Sequence, residues 1–229
     1  MSEEKRSPFK IAKRKETYLK MGVTGPSGSG KTYSSLLLAK GIMGDFKKVV
    51  VIDTENQSSN LYSDLGEYTV LPFSPPFHPQ RYSNAIDLCV KEGFELIIID
   101  SISHEWDGQG GCLDLHNKFG GKFQDWAKVT PLHKAFIDSI LQAKAHVICT
   151  MRRKQEYAMV LKNGRNVVEK LGTKEVQRDG FEYELTLNLD INMEHLALAS
   201  KDRTNLFGDG LPFKISEETG KKIKDWNNG

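Results

Sequence analysis

Eight consecutive residues, Gly25-Pro26-Ser27-Gly28-Ser29-Gly30-Lys31-Thr32, fit the pattern G-x-x-x-x-G-K-[ST]. In that pattern glycines allow the backbone N–H groups to turn inward around an anion, and the positive end of the helix that follows adds to the attraction. Lys31 can reach the β- and γ-phosphates of a nucleoside triphosphate, and the Thr32 hydroxyl can ligate the Mg²⁺ that bridges them. Tyr33, the next residue, joins Gly25, Pro26, Ser27, Gly28, Ser29 and Gly30 as an expected nucleotide contact. ATP and Mg²⁺ are therefore the expected cofactors. Asp100 ends the apolar run at residues 94–100 and Ser101 follows it, the form of a strand that delivers one carboxylate beside such a loop, where Asp100 would hold Mg²⁺. Hydrolysis also needs a group to position water. Many ring ATPases place a glutamate directly after that aspartate, but here the position is Ser101, so Glu55 is the first candidate and Glu105 the second.

These residues need a sheet to position them. A strand-like run at residues 18–24 precedes the loop, and a helix through residues 34–40 follows it, with Gly41 and Gly44 as stops. A buried strand is expected at residues 48–53, then a Pro-rich loop at 72–79. Tyr82, Ala85, Ile86, Cys89 and Val90 repeat at helical spacing up to Gly93, before the strand at 96–100. Thr130-Pro131 reads as a cap followed by Pro at the first helical position, with Leu132, Phe136, Ile140 and Leu141 on one face. A strand follows at 146–150. Lys162-Asn163-Gly164-Arg165 is a hairpin signal between two short strand-like runs, and residues 181–192 alternate apolar with polar. A turn at Met193-Glu194 leads into residues 195–200. The fold class is α/β: a mostly parallel sheet flanked by helices, with antiparallel strands at the C-terminal end. In such a sheet the C-terminal strand ends converge on the ligand, which is how Glu55 could reach water near the γ-phosphate.

The chain of 229 residues has 38% apolar and 27% charged residues, as expected of one globular domain. Its net charge of +2 excludes a global polyelectrolyte argument for nucleic acid. The three cysteines are far apart and lack metal-ligand spacing, which fits thiols in a reducing compartment, with Cys89 and Cys149 as core residues. Without an apolar membrane span or a signal-peptide core, the expected location is the cytoplasm. Residues 1–17 read as a basic arm and 18–229 as the domain.

The phosphate loop, Ile52-Asp53-Thr54-Glu55 and Ile98-Ile99-Asp100-Ser101 together resemble the RecA-type ATPase core, in which the second motif supplies the catalytic glutamate. More narrowly, the Asp100-Ser101 pair, Arg152-Arg153-Lys154 and Ala199-Ser200-Lys201-Asp202-Arg203 make the chain similar, over residues 18–226, to compact phage-encoded ATPases of the AAA family with a RecA core. Some members of that group are single-strand annealing recombinases. The resemblance implies a RecA-like P-loop fold, ATP hydrolysis, a ring or filament of identical subunits, and the host cytoplasm as the place of action. It also implies that Lys201 and Arg203 match the K-x-R pair inserted into a neighbour's nucleotide site. Segments corresponding to residues 104–129 and 152–178 would face single-stranded DNA, with a single-strand DNA-binding protein as a further partner.

The residues themselves agree with a nucleic-acid role. The first segment mixes glycines with Trp106, Phe119, Phe123, Trp126, Lys118 and Lys122, which suits stacking on bases. The second carries Arg152, Arg153, Lys154, Lys162, Arg165, Lys170, Lys174 and Arg178 against three acidic residues, a local charge of +5. Two other readings stand beside this one. A small-molecule phosphotransferase would use the Arg152 region as a lid, and an ATP-gated DNA-processing accessory would hydrolyse ATP only to reset a clamp.

Overall fold

A computed structural model describes the backbone of residue 9, residues 11–162 and residues 165–229, and the side chains of these apart from residue 16 and residues 155–173. Strand β1 (Lys20–Gly25) feeds the phosphate loop and helix α1 (Lys31–Met43). Then come β2 (Val49–Asp53), β3 (Thr69–Pro72), α2 (Pro79–Lys91) and β4 (Leu96–Asp100). Three helices follow, α3 (Ser103–Asp107), α4 (Cys112–Lys118) and α5 (Trp126–Gln142), before the long hairpin β5 (His146–Lys162) and β6 (Arg165–Glu175). The chain ends with α6 (Phe181–Glu184), β7 (Leu187–Ile191), β8 (Ala197–Asp202) and α7 (Glu217–Asn228).

The sheet runs β3-β2-β4-β5-β1-β7-β8, with β6 paired to β5 off this path. Every neighbouring pair from β3 to β7 is parallel, whereas β7–β8 and β5–β6 are antiparallel. The pleat sends alternate residues of one strand to opposite faces. Val49, Val51, Leu96 and Ile98 join the core under α1, and Val50, Ile52, Ile97 and Ile99 join the core with Tyr82, Ile86, Phe136 and Ile140 of α2 and α5. Runs without a polar residue are what a sheet covered on both faces requires.

Several expectations change. Gly41 does not stop α1 but lies inside it, and a Cβ there would meet Gly220 Cα at 2.7 Å and Lys221 N at 2.8 Å. The two glycines let α7 cross directly on the phosphate-loop helix. The helix expected to begin at Pro131 begins at Trp126, where it continues directly from a capped turn at Phe123–Asp125 and Trp126 stacks on the rings of Trp106 and His116. Its buried face is Val129, His133, Phe136 and Ile140 rather than one including Leu132 and Leu141. The alternation expected from residue 181 starts with a helical turn, α6, and β7 buries Asn188 as well as its leucines, because β7 lies between β1 and β8. The runs flanking the hairpin turn are 17 and 11 residues long, not short. Residues 1–8 and 10 of the basic arm and turn residues 163 and 164 lie outside the described residues. Arg14 of the arm rests over the Trp226 ring at 5.1 Å.

Candidate nucleotide site

The parallel strands β1, β2, β4 and β5 deliver their C-terminal ends to one side of the sheet, where a ligand crevice is expected. The phosphate loop closes there with Gly28 at φ +82° and Gly30 at φ +91°, angles that favour glycine. From the β7–β8 turn, His195 Nδ1 donates to the Ser29 carbonyl at 2.9 Å and braces the loop. The loop, Glu55, Asp100, Arg152, Tyr33 and Tyr62 line a cavity of about 630 Å³. Tyr33 meets Tyr62 edge to face at 5.5 Å.

Inside this cavity Thr32 Oγ1 donates to Asp100 Oδ2 at 2.6 Å, and Thr150 Oγ1 of β5 donates to Asp100 Oδ1 at 2.5 Å. Burial pushes the Asp100 carboxyl above its ordinary range, although both hydroxyls oppose this. Burial likewise pushes the Lys31 ammonium below the usual lysine value, against the pull of Asp100 and Glu55, and its Nζ donates to the Pro26 carbonyl at 2.8 Å. A carboxylate touching a hydroxyl is a pair of hard oxygen donors, which suits Mg²⁺, and inward-turning glycine backbone suits its phosphates. Thr32 and Asp100 are the residues that would hold the ion.

Glu55 is placed by its neighbour. Asp53, 1% exposed, accepts from Glu55 N at 2.8 Å, Gln57 N at 3.1 Å, Ser59 N at 2.9 Å and Ser59 Oγ at 2.5 Å, so one buried carboxylate fixes the whole turn after β2. Thr54 ties that turn to the end of β4, since its Oγ1 accepts from Ser101 N at 2.8 Å. The Glu55 carboxylate then takes Ser101 Oγ at 3.2 Å and a two-pronged Arg152 guanidinium, Nε to Oε1 at 2.9 Å and Nη2 to Oε2. Burial pushes the Glu55 carboxyl up, yet Arg152 outweighs burial and holds it below the ordinary glutamate range.

Arg152 is the main surprise. Grouped by sequence with the DNA-facing cations, it belongs to the phosphate cavity, because β5 lies between β4 and β1 and its sheet portion ends there. Arg153 pairs with Asp190 at 2.8 Å and Lys154 with Asp107 at 2.6 Å, while the side chains of Lys162 and Arg165 lie outside the described residues. Glu105 does not line the cavity: it is wholly buried against His133, Cys112 and Gln177 and cannot position water at the phosphate loop. The glycine- and aromatic-rich segment after β4 is helical at α3 and α4, and Trp106 and Trp126 stack on each other at 5.6 Å rather than standing free. Together with Phe123, Lys154, Lys174 and Arg178 they line a second, open cavity of about 670 Å³, at whose rim Phe123 is 93% exposed. Lys201 Nζ and Arg203 Nη2 both donate to the Tyr183 carbonyl, the latter at 3.1 Å. Lys201 pairs in register with Asn188 and Arg203 N donates to Thr186 O, at the end of β7 remote from the phosphate loop, so neither lines the cavity of its own chain.

Among the described residues, no helix is long and apolar enough to cross a membrane. No curated protein matches the chain. The family model described as an AAA domain matches residues 17–223, a span that runs from β1 through the phosphate loop, Glu55, Asp100 and Arg152 into α7. On that match, with its P-loop placed as the sheet requires, the chain belongs to the AAA domain family of P-loop ATPases.

Proposed function

We propose that the chain hydrolyses ATP and uses the nucleotide cycle to grip single-stranded DNA as a RecA-like oligomer, in phage recombination or replication steps such as strand annealing or pairing. Arg152 carries the reading. It is clasped to Glu55 in the phosphate cavity, and two residues further along the same strand Lys154 lines the second cavity. Arg152 can exchange Glu55 for phosphate oxygens in the same cavity, which frees the carboxylate to accept a proton from water. Lys31 and the loop N–H groups hold the phosphates, and Thr32 with Asp100 holds the metal. Mg²⁺, when bound, neutralises charge on the β- and γ-phosphates. Phe123, exposed at the rim of the second cavity, offers a platform for an unstacked base, and Lys154, Lys174 and Arg178 can exchange Asp107, Asp179 and Thr130 for phosphates. Lys201 and Arg203 would complete a neighbouring subunit's site.

Fluorescence anisotropy of labelled single strands, with and without a non-hydrolysable ATP analogue, tests this. Binding should require the analogue, weaken steeply with salt and disappear in Lys31→Ala. Nucleotide-independent or undetectable binding overturns the proposal.

A further inference from the structure

Away from the nucleotide cavity, three successive helices each send one side chain to a common interior point. Glu105 of α3, Cys112 of α4 and His133 of α5 are 0%, 0% and 6% exposed, and their donor atoms all lie within 4.8 Å of one another. Glu105 Oε1 accepts from Cys112 Sγ at 3.0 Å and from His133 Nδ1 at 3.1 Å, and Gln177 Nε2 donates to Oε2 at 3.3 Å. A carboxylate cut off from water must be well hydrogen-bonded, paired or bound to a metal, and the donors around Glu105 are a thiol, an imidazole and an amide, none of them a permanent cation.

We propose that Glu105, Cys112 and His133 bind one divalent cation of the zinc class, which staples α3, α4 and α5 together behind the strand that carries Asp100. Thiolate, imidazole and carboxylate are the ligand types zinc takes in proteins, and the sulfur excludes Mg²⁺ and Ca²⁺ as the preferred occupants. Binding sends the thiol proton to solvent, and the imidazole changes tautomer by proton exchange with solvent, losing the Nδ1 proton it donates to Glu105 and gaining one on Nε2, so that Nδ1 presents a lone pair. The supporting shell is already built. Gln177 is held by Arg178 N at 2.7 Å on its Oε1 and itself donates to Ile102 O at 3.2 Å, which fixes the Nε2 that orients the glutamate. Glu105 follows Asp100 by only five residues, so the staple would fix the register of the segment leaving the end of β4.

The test uses the full chain, stripped with a chelator and kept free of nucleotide so that the phosphate site does not contribute. Titration with Co²⁺ should give one equivalent per chain with a thiolate-to-metal charge-transfer band, and Zn²⁺ should displace it while excess Mg²⁺ does not. The band should vanish in Cys112→Ser and persist in Cys89→Ser, whose thiol is buried in α2. Gln177→Ala should keep the band and weaken Zn²⁺ binding by about 10–100-fold. Should Cys112→Ser fail to fold, zinc-dependent protection of a thiol in the stripped wild type, read by mass mapping to Cys112, takes its place. Absence of the band in the wild type, its survival in folded Cys112→Ser, or protection mapping to another cysteine overturns the proposal.

Discussion

The Glu55–Arg152 pair can be weighed directly by a double-mutant cycle of Arg152→Ala, Glu55→Gln and both together. The side chains are 35% and 24% exposed, neither in bulk water nor in a dry core. At an effective dielectric of about 20, opposite charges roughly 4 Å apart attract by about 4 kcal/mol. Desolvation and the lost rotamer freedom of the arginine offset roughly half of that, and solvent at the open side screens more. A coupling of about 1–2 kcal/mol remains, above that of an exposed pair and below the cost of breaking a buried one. Urea unfolding near neutral pH, without nucleotide, reads the stability of each variant. The double variant should be less destabilised than the sum of the singles by that amount. Because Arg152 depresses the Glu55 carboxyl, its contribution is present above the unfolded value of 4.5 and is lost as pH falls through the lower folded value. The coupling should therefore fade in acid. Additivity to within about 0.5 kcal/mol, or a coupling unchanged in acid, refutes the reasoning.

Gly41→Ala should cost about 1–2 kcal/mol despite the better helix propensity of alanine, because its Cβ meets the backbone of α7; an unchanged or raised Tm would contradict the crossing. Asp53→Asn should keep nucleotide binding but lower ATP turnover by at least about tenfold, since an amide cannot accept from all four donors that hold the Glu55 turn; steady-state turnover against nucleotide affinity separates the two. Glu175 is raised to about 7 by burial and then by Asp190 and Glu182. The folded state therefore binds the extra proton between pH 4.5 and about 7, and stability falls as pH rises through that window. Glu175→Gln should abolish this fall, gaining about 1–2 kcal/mol over the wild type at mildly alkaline pH after allowance for screening, and equal pH profiles of Tm would refute it.

Much of this was legible because the signals are local. A phosphate loop is eight consecutive residues, and the all-apolar runs of β2 and β4 announce buried parallel strands. What stayed hidden was made by tertiary contact. Strand β3 is only four residues long, ends at Pro72 and has no fully buried residue, so its Val70-Leu71 pair is too short a run to announce a strand. Pro131 imitates a helix start five residues inside α5, where ring stacking around Trp126 outweighs local preference. Nothing in the order Arg152-Arg153-Lys154 says that the first turns to Glu55 while the others find Asp190 and Asp107. Glu105, Cys112 and His133 lack recognisable ligand spacing because three helices, not one motif, bring them together.

The central position of β1 bears on how the chain comes off the ribosome. Its two sheet neighbours, β5 and β7, begin at His146 and Leu187, and the helix that covers α1 begins at Glu217. Strand β1 is thus flanked only by strands made well after it, and loops of that length close slowly. The side of α1 that packs on α7 stays uncovered until residues 217–228 are made, although β2 and β4 can cover its other side early, and uncovered apolar surface is what aggregates. The phosphate loop, which leaves the end of β1, becomes a rigid cradle only after β5 and β7 have been made.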